Sequence, residues 1–371
     1  MKIYQCIHKY PPHIPLFEKK YGIPGRKDIT FNELRRLVID DGYASSYILQ
    51  PALEENINEV FFTIWDYDRL QHLWAKENGL ITRNLTEIKL AQVEEFQPDI
   101  IYDFSAWLDR DFVRKLPWNT NYKKLCWDAI IQVKPELFPD YDIRVSLHKP
   151  YIDYWLARNK PAFELQAAIP VAWANYCSEN REIDILYYGQ YFEGMFTQRN
   201  YLVNELIQYL QNTDYKVNIH LQYSLQTKSI INIRGLKRLK RIVYPSKFIR
   251  KNTKEPIYGE ELYSTIGKSK IVINAYTDFN VNFKSNMRLY EAIGCGAFLI
   301  SEEGCYPEGF VPEEDFYTYT DSKTLFEQIE RVLSDWETHS KIAERTRLKI
   351  SNLYSKENQW KQFKENVEKF L

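Results

Sequence analysis

Residues 270–300, KIVINAYTDFNVNFKSNMRLYEAIGCGAFLI, constrain this chain more than any other stretch. Positions 270–275 are apolar and β-branched, as a strand buried on both faces should be. Positions 276–284 are polar and aromatic with no regular period. Ser285 or Asn286 can cap a helix whose first turn holds Met287, Arg288 and Leu289, and Gly294 and Gly296 can close it. Positions 297–300 are apolar again. The pattern is a βαβ unit, and the N-terminus of its helix faces the C-terminal edge of a parallel sheet. Free backbone N–H groups there seat a phosphate. Arg288 adds a forked cation, and Glu291, three residues on, shares its helix face. A carboxylate one turn past such a seat is placed to accept hydrogen bonds from a ribose diol. An ordinary buried crossover carrying an Arg–Glu surface pair fits the same spacing.

The run Asn286-Met287-Arg288-Leu289-Tyr290-Glu291-Ala292, then Gly294-Cys295-Gly296-Ala297, resembles the N-x-R-x-[FY]-E-A-x-x-x-G-A signature of bacterial CgeB-like glycosyltransferases. These belong to the family-one glycosyltransferase clan with the GT-B fold. The resemblance runs from about 183 to 371 and is weaker before that, in Leu70-Gln71-His72-Leu73-Trp74-Ala75 and Phe96-Gln97-Pro98-Asp99-Ile100. It implies an α/β protein of two Rossmann-like domains whose parallel sheets face a central cleft. The expected division is 1–176 for the acceptor side and 177–355 for the nucleotide-sugar side. A terminal helix at 356–371 would return to the first domain. By the same resemblance Glu291 grips the ribose, and the helix N-terminus at Asn286 and Leu289 holds the diphosphate with Arg288 and Lys284. Gly189 would end the strand opening the second sheet, in a tight turn against the diphosphate, and Arg199 would start the next helix. Tyr258, in Pro256-Ile257-Tyr258-Gly259, falls in the segment that receives the base. Many retaining members carry a second Glu eight residues before the ribose Glu; here that position is Phe283.

A chain of 371 residues is long enough for two ordinary domains. Its 49 basic and 50 acidic residues leave a formal charge of −1, which argues against a general nucleic-acid binder. Aromatic residues reach 15%, a composition that suits sugar sites and aromatic cores alike. Five dispersed cysteines, with no C-x-x-C pair, read as free thiols of a reducing compartment. The N-terminal MKIYQCIHKY lacks the apolar core of a signal peptide, and no apolar run approaches the ~20 residues of a membrane helix. The expectation is a cytoplasmic protein.

Several acidic residues fall at the ends of apolar runs. The strand pattern at 59–65 ends in Asp66-Tyr67-Asp68, a spacing that bridges a divalent cation to a sugar diphosphate in GT-A enzymes. The competing reading, and the one favoured, is a strand-to-helix turn with Asp as the N-cap. Asp103 and Asp128 end further strands; each is a candidate base or acceptor ligand, and equally a helix cap. A loop expected at 8–28, rich in proline, carries His8 and His13. Arg288, His13 and Asp103 are therefore the candidate catalytic groups, with no metal and no cofactor beyond the donor. Nine Lys or Arg and no acid lie in 234–254. That run fits peripheral contact with an anionic membrane or a lipid diphosphate, and also a solvated face.

The function expected is transfer of a sugar from a nucleotide-diphosphate donor to a hydroxyl of a glycan or lipid-linked acceptor, in assembly of a bacterial surface polysaccharide or glycoconjugate. The rivals are a nucleotide-sugar 2-epimerase on the same fold and a non-catalytic surface or spore-coat protein that binds a nucleotide sugar.

Overall fold

The computed structural model describes residues 1–117, 122–129, 138–193, 196–225, 245–276 and 282–370. The chain forms two compact units, Met1–Ala168 with Tyr354–Leu371, and Ile169–Leu353. The first is built on a six-stranded sheet of order β2-β1-β3-β4-β5-β6. Its strands are β1 (Ile3–Ile7), β2 (Val60–Ile64), β3 (Ile100–Asp103), β4 (Lys123–Trp127), β5 (Ile143–Ser146) and β6 (Ala162–Glu164). Every pairing is parallel. All residues of β1, IYQCI, and of β2, VFFTI, are buried, as strands covered by helices on both faces require. The Phe31–Asp40 helix starts at a capping box: the Thr30 hydroxyl accepts from Glu33 N (3.2 Å), and the Glu33 carboxylate accepts from Thr30 N (2.8 Å).

The second unit holds a five-stranded parallel sheet of order β11-β10-β9-β7-β8. Its strands are β7 (Ile183–Glu193), β8 (Val217–Leu225), β9 (Ser269–Asn274), β10 (Phe298–Glu302) and β11 (Tyr317–Tyr319). The strand order reverses beside the first strand of each unit: between β1 and β3 in one, between β7 and β9 in the other. In open parallel sheets the crevice for a ligand forms at the carboxyl ends of the strands at such a reversal.

Three expectations meet a different structure. The 8–28 segment contains the helix His13–Lys20 and a 3-10 turn at Ile23–Gly25. Pro15 is tolerated there because its missing N–H lies in the first turn, and His13 and Phe17, four apart, are both buried. Asp68 is not an N-cap; Tyr67 takes that position and Asp68 lies in the first helical turn. Residues 169–176, expected to close the first domain, pack in the second unit, where a 3-10 helix runs over Val171–Tyr176.

The reason for that last placement is the buried Trp173, whose ring lies 4.7 Å from that of Tyr263, together with the contact of this turn on the Gly259–Gly267 helix. A Cβ on Gly267 would sit 1.8 Å from the Tyr176 carbonyl oxygen. The helix Lys356–Glu368 belongs to the first unit. Phe363, fully buried, lies 5.2 Å from the ring of Tyr102, and the buried Lys356 ammonium donates to the carbonyls of Ser45 (3.0 Å) and Ser46 (3.3 Å). The basic segment 234–254 lies outside the described residues from 234 to 244; its remainder includes the short helix Lys247–Lys251.

Gly267→Ala is expected to destabilise the protein by about 1–3 kcal/mol or more, since backbone must move to admit the methyl group. Gly25→Ala, where a Cβ meets nothing within 4 Å, serves as the control and should leave the unfolding midpoint within error. Urea denaturation of both variants checks the contrast.

Candidate functional site

The site forms at the carboxyl end of β9, beside the reversal. β9 ends in Asn274, which is fully buried. Its side-chain oxygen accepts from Asn286 Nδ2 (3.0 Å) and from Arg288 Nη1 (2.9 Å). Its amide donates to Ser301 Oγ on β10 (2.9 Å), and its carbonyl accepts from the Tyr319 hydroxyl on β11 (3.1 Å). Asn286 in turn caps the Met287–Gly294 helix, its Oδ1 accepting from Leu289 N (3.3 Å). One asparagine thus fixes the cap and another fixes the asparagine.

Arg288 Nη1 also donates to the Ala275 carbonyl (3.2 Å). The guanidinium carbon lies 4.8 Å from the Tyr188 ring centre and 5.8 Å from that of Tyr187, both on β7. Among the described residues Arg288 makes no ion pair, and its Nε, which is buried, has no hydrogen-bond partner. Its charge is held in place by neutral oxygens and tyrosine rings, and no carboxylate among the described residues contacts it. The alternative of an Arg288–Glu291 surface pair is therefore not the arrangement found.

Glu291 is 3% exposed, and its Oε2 accepts from the Tyr188 hydroxyl (2.7 Å). Burial raises its carboxyl above the ordinary value near 4.5, while the Tyr188 hydrogen bond and the nearby Arg288 charge oppose that rise. The other oxygen, Oε1, has no partner among the described residues. Lys284 lies beside this group and pairs with Glu302 at the end of β10 (3.1 Å), its ammonium 5.0 Å from the Tyr276 ring. The second Glu302 oxygen accepts from Tyr276 N (2.8 Å), and the Tyr276 hydroxyl bridges the backbone N–H and carbonyl of Ser285. Both ends of the 276–285 segment are thereby tied down.

Gly189 does not end its strand. β7 continues to Glu193, paired with β8 in register from Ile185↔Val217 to Glu193↔Leu225, so no tight turn forms there. What the glycine provides is room: a Cβ at 189 would lie 3.1 Å from Arg288 Nη2. Arg199 lies in the first turn of the Thr197–Leu210 helix, buried, its guanidinium 4.2 Å from the Phe196 ring. Tyr258 is the N-cap residue of the Gly259–Gly267 helix, and its hydroxyl donates to Gln222 on β8 (3.3 Å). Arg288, Glu291, Asn286, Leu289, Gly189 and Lys284 are thus brought together, with Tyr258 two strands away and Arg199 against the Phe196 ring. A groove of about 720 Å³ opens nearby, lined by Thr197, Tyr201, Glu205, Glu302 and Tyr319 among others.

In the first unit, His13 is 3% exposed, its Nε2 2.9 Å from Asp41 and its ring stacked 4.4 Å from Tyr43. Asp103 is fully buried and accepts from the Tyr141 hydroxyl (2.6 Å), Ser105 N (2.7 Å), Cys6 Sγ (3.4 Å) and Lys89 Nζ (3.4 Å). A carboxylate so engaged holds its surroundings together and has no oxygen left for a substrate proton. Asp66 and Asp68 are bridged by Lys9, through its backbone N–H and its ammonium respectively. Among the described residues no group of three or more His, Cys, Asp or Glu is arranged to hold a metal ion.

Sequence reasoning missed Asn274, Tyr188 and Glu302. A signal for the first existed: a polar side chain that closes the apolar run Ile271-Val272-Ile273. Tyr188 and Glu302 acquire their roles only through pairing across strands distant in sequence.

Residues 199–365 match a protein family described as glycosyl transferase-like. No curated protein matches the chain in sequence. Among solved structures, HepE from Anabaena, determined with UDP-glucose, superposes over all of both chains with a TM-score of 0.61 at 11% identity. A glycosyltransferase from Rickettsia africae gives 0.53 at 12% identity, over 98% of this chain and 97% of that one. Sucrose-phosphate synthase from Thermosynechococcus elongatus gives 0.51 at 13% identity, over 82% and 79%. The fold is that of GT-B glycosyltransferases, with two parallel sheets of the Rossmann type. The family match and the fold together support a glycosyltransferase.

The Glu291 environment has a consequence for stability. A carboxyl raised above its unfolded value contributes its full stability below the unfolded pKa and loses it as pH rises through the folded one. Glu291→Gln keeps an acceptor for Tyr188 and removes the buried charge. The variant should match the wild type in thermal melts near pH 4 and exceed it near pH 8; a pH-independent difference would contradict the assignment.

Proposed function

We propose that the chain is a Leloir glycosyltransferase of the CgeB-like branch, moving a hexose from a nucleotide-diphosphate donor to an acceptor hydroxyl. The observation that carries this reading is Arg288: a cation fixed at a helix N-terminus, at the sheet reversal, with no carboxylate in contact with it among the described residues. As the bond from the anomeric carbon to the diphosphate breaks, its electron pair leaves with the diphosphate. The guanidinium and the N–H groups of Met287 and Arg288 are set to receive that charge without reorganising. Charge stabilisation supplied this way leaves no step that calls for a metal, so donor binding should survive excess EDTA.

Glu291 is assigned to the ribose, with Oε2 steadied by Tyr188 and Oε1 available to the diol. The segment around Tyr258 is assigned to the base, and Lys284, Asn286, Leu289 and Gly189 to the walls of the diphosphate seat. HepE was solved with UDP-glucose and with UDP, which makes uridine nucleotides the first donors to try. The wider setting proposed is cytoplasmic assembly of a bacterial surface polysaccharide or glycoconjugate on a glycan or lipid-linked acceptor. Peripheral membrane contact through 234–254 belongs to the same proposal. No helix among the described residues is long and apolar enough to cross a membrane.

Two variants test the roles separately. Glu291→Ala removes charged hydrogen bonds to a group that does not change during reaction, and should weaken UDP binding by about 1.5–3 kcal/mol in calorimetry. Arg288→Lys keeps the charge and loses the fork, and should lower turnover more than it weakens UDP binding. Wild-type turnover in Arg288→Lys would remove the helix from the leaving-group role. Tight UDP binding by the wild type with no transfer to any acceptor would favour a binding protein over an enzyme.

A further inference from the structure

The first unit has its own sheet reversal, between β1 and β3, and an unassigned group of residues stands there. His8 follows β1 directly, Asp66 follows β2, and β3 leads through Asp103 into the loop that carries Trp107. The His8 and Trp107 rings meet edge to face, centres 5.7 Å apart at 79°. Trp107 is 42% exposed and its neighbour Leu108 46%, a high exposure for two large apolar side chains set side by side. His8 Nδ1 is buried and has no hydrogen-bond partner among the described residues, which leaves Nε2 as the nitrogen on the accessible side.

The loop is held rigid from beneath. Asp103 accepts from Ser105 N (2.7 Å), and the Ser105 carbonyl accepts from Leu108 N (2.7 Å) and Asp109 N (3.1 Å). The fully buried Lys89 reaches Asp103 (3.4 Å) and Asp109 (3.7 Å), the two ends of the loop. Burying an ammonium with two carboxylates is a weak source of stability, and a registry device is its better-attested use. Here it presets the position of an exposed indole.

We infer that His8 and Trp107 form a saccharide subsite, in which the indole packs on the C–H face of a sugar ring and His8 Nε2 hydrogen-bonds a sugar hydroxyl. The name acceptor subsite rests on the transferase reading; the binding of a sugar does not. Burial lowers the His8 imidazole below its ordinary value and outweighs the opposing fields of Asp66 and Asp103, so it is neutral at neutral pH. Lys9, next in the chain, is committed to Asp66 and Asp68.

The test is saturation-transfer NMR on the full chain with a mixture of methyl glycosides of glucose, galactose, mannose and N-acetylglucosamine, each anomer represented. At least one glycoside should receive saturation on the C–H protons of one ring face. Trp107→Ala should weaken that glycoside about tenfold. Trp107→Phe should retain part of the binding, and His8→Phe should weaken it and abolish its pH dependence. In the wild type binding should change on the acid side, where the imidazole gains its second proton. Absence of saturation in any glycoside, or equal signals in wild type and Trp107→Ala, overturns the inference. UDP calorimetry on the same samples keeps the readings apart: His8 and Trp107 variants should bind UDP as the wild type does. A wild type that binds glycosides in this manner but not UDP would overturn the donor assignment while supporting the subsite.

Discussion

The contacts of one buried side chain, Asn274, underlie the second unit's site. A neutral amide at the end of a central strand satisfies two donors with its oxygen and one acceptor with its nitrogen. The partners are the residue that caps the neighbouring helix, the arginine in that helix's first turn, and a serine on the adjacent strand. Because the amide is neutral, it positions Arg288 without cancelling its charge. An aspartate at 274 would hold the same geometry and neutralise the group it holds. A leucine would leave a guanidinium and a cap amide unsatisfied, the costly half of the hydrogen-bond balance.

Most charged side chains at the strand ends are already paired. Lys9 pairs with Asp68, Lys284 meets Glu302, and Lys89 sits between Asp103 and Asp109. These pairs shape loops, and their charges are spent within the protein. Arg288 and His8 differ: each lies at a sheet reversal, each has a buried nitrogen without a partner, and neither sits in an ion pair among the described residues. The distinction between scaffold and site lies in the state of the partner, and residue type alone does not reveal it.

That distinction also sets what the sequence could disclose. The β9–helix–β10 unit, its Asn286 cap and its glycine exit were legible because period, cap and turn chemistry agree over thirty consecutive residues. The capping box at Thr30 was legible for the same reason. The first domain's candidates were not: His13 and Asp103 look exposed and catalytic in a linear reading, yet Asp41, Tyr43, Tyr141 and Lys89 enclose them from elsewhere in the chain. Gly189 was singled out for a turn it does not make, because one glycine can provide either backbone freedom or space, and only the approach of Arg288 decides between them.

The helix Lys356–Glu368 carries a consequence for biogenesis. Trp360, Phe363 and Val367 belong to the hydrophobic core that β1 and β3 begin, although the whole of Ile169–Leu353 intervenes in the chain. A ribosome delivers the six strands of the first unit early but supplies that helix only after the whole of the second unit's segment. The second unit's segment is continuous and is complete before then. The part synthesised first is therefore the part finished last, and during the interval its sheet presents the apolar surface those three side chains will cover. Exposed surface of that kind is what chaperones recognise, so the burden of assisted folding falls on the N-terminal unit.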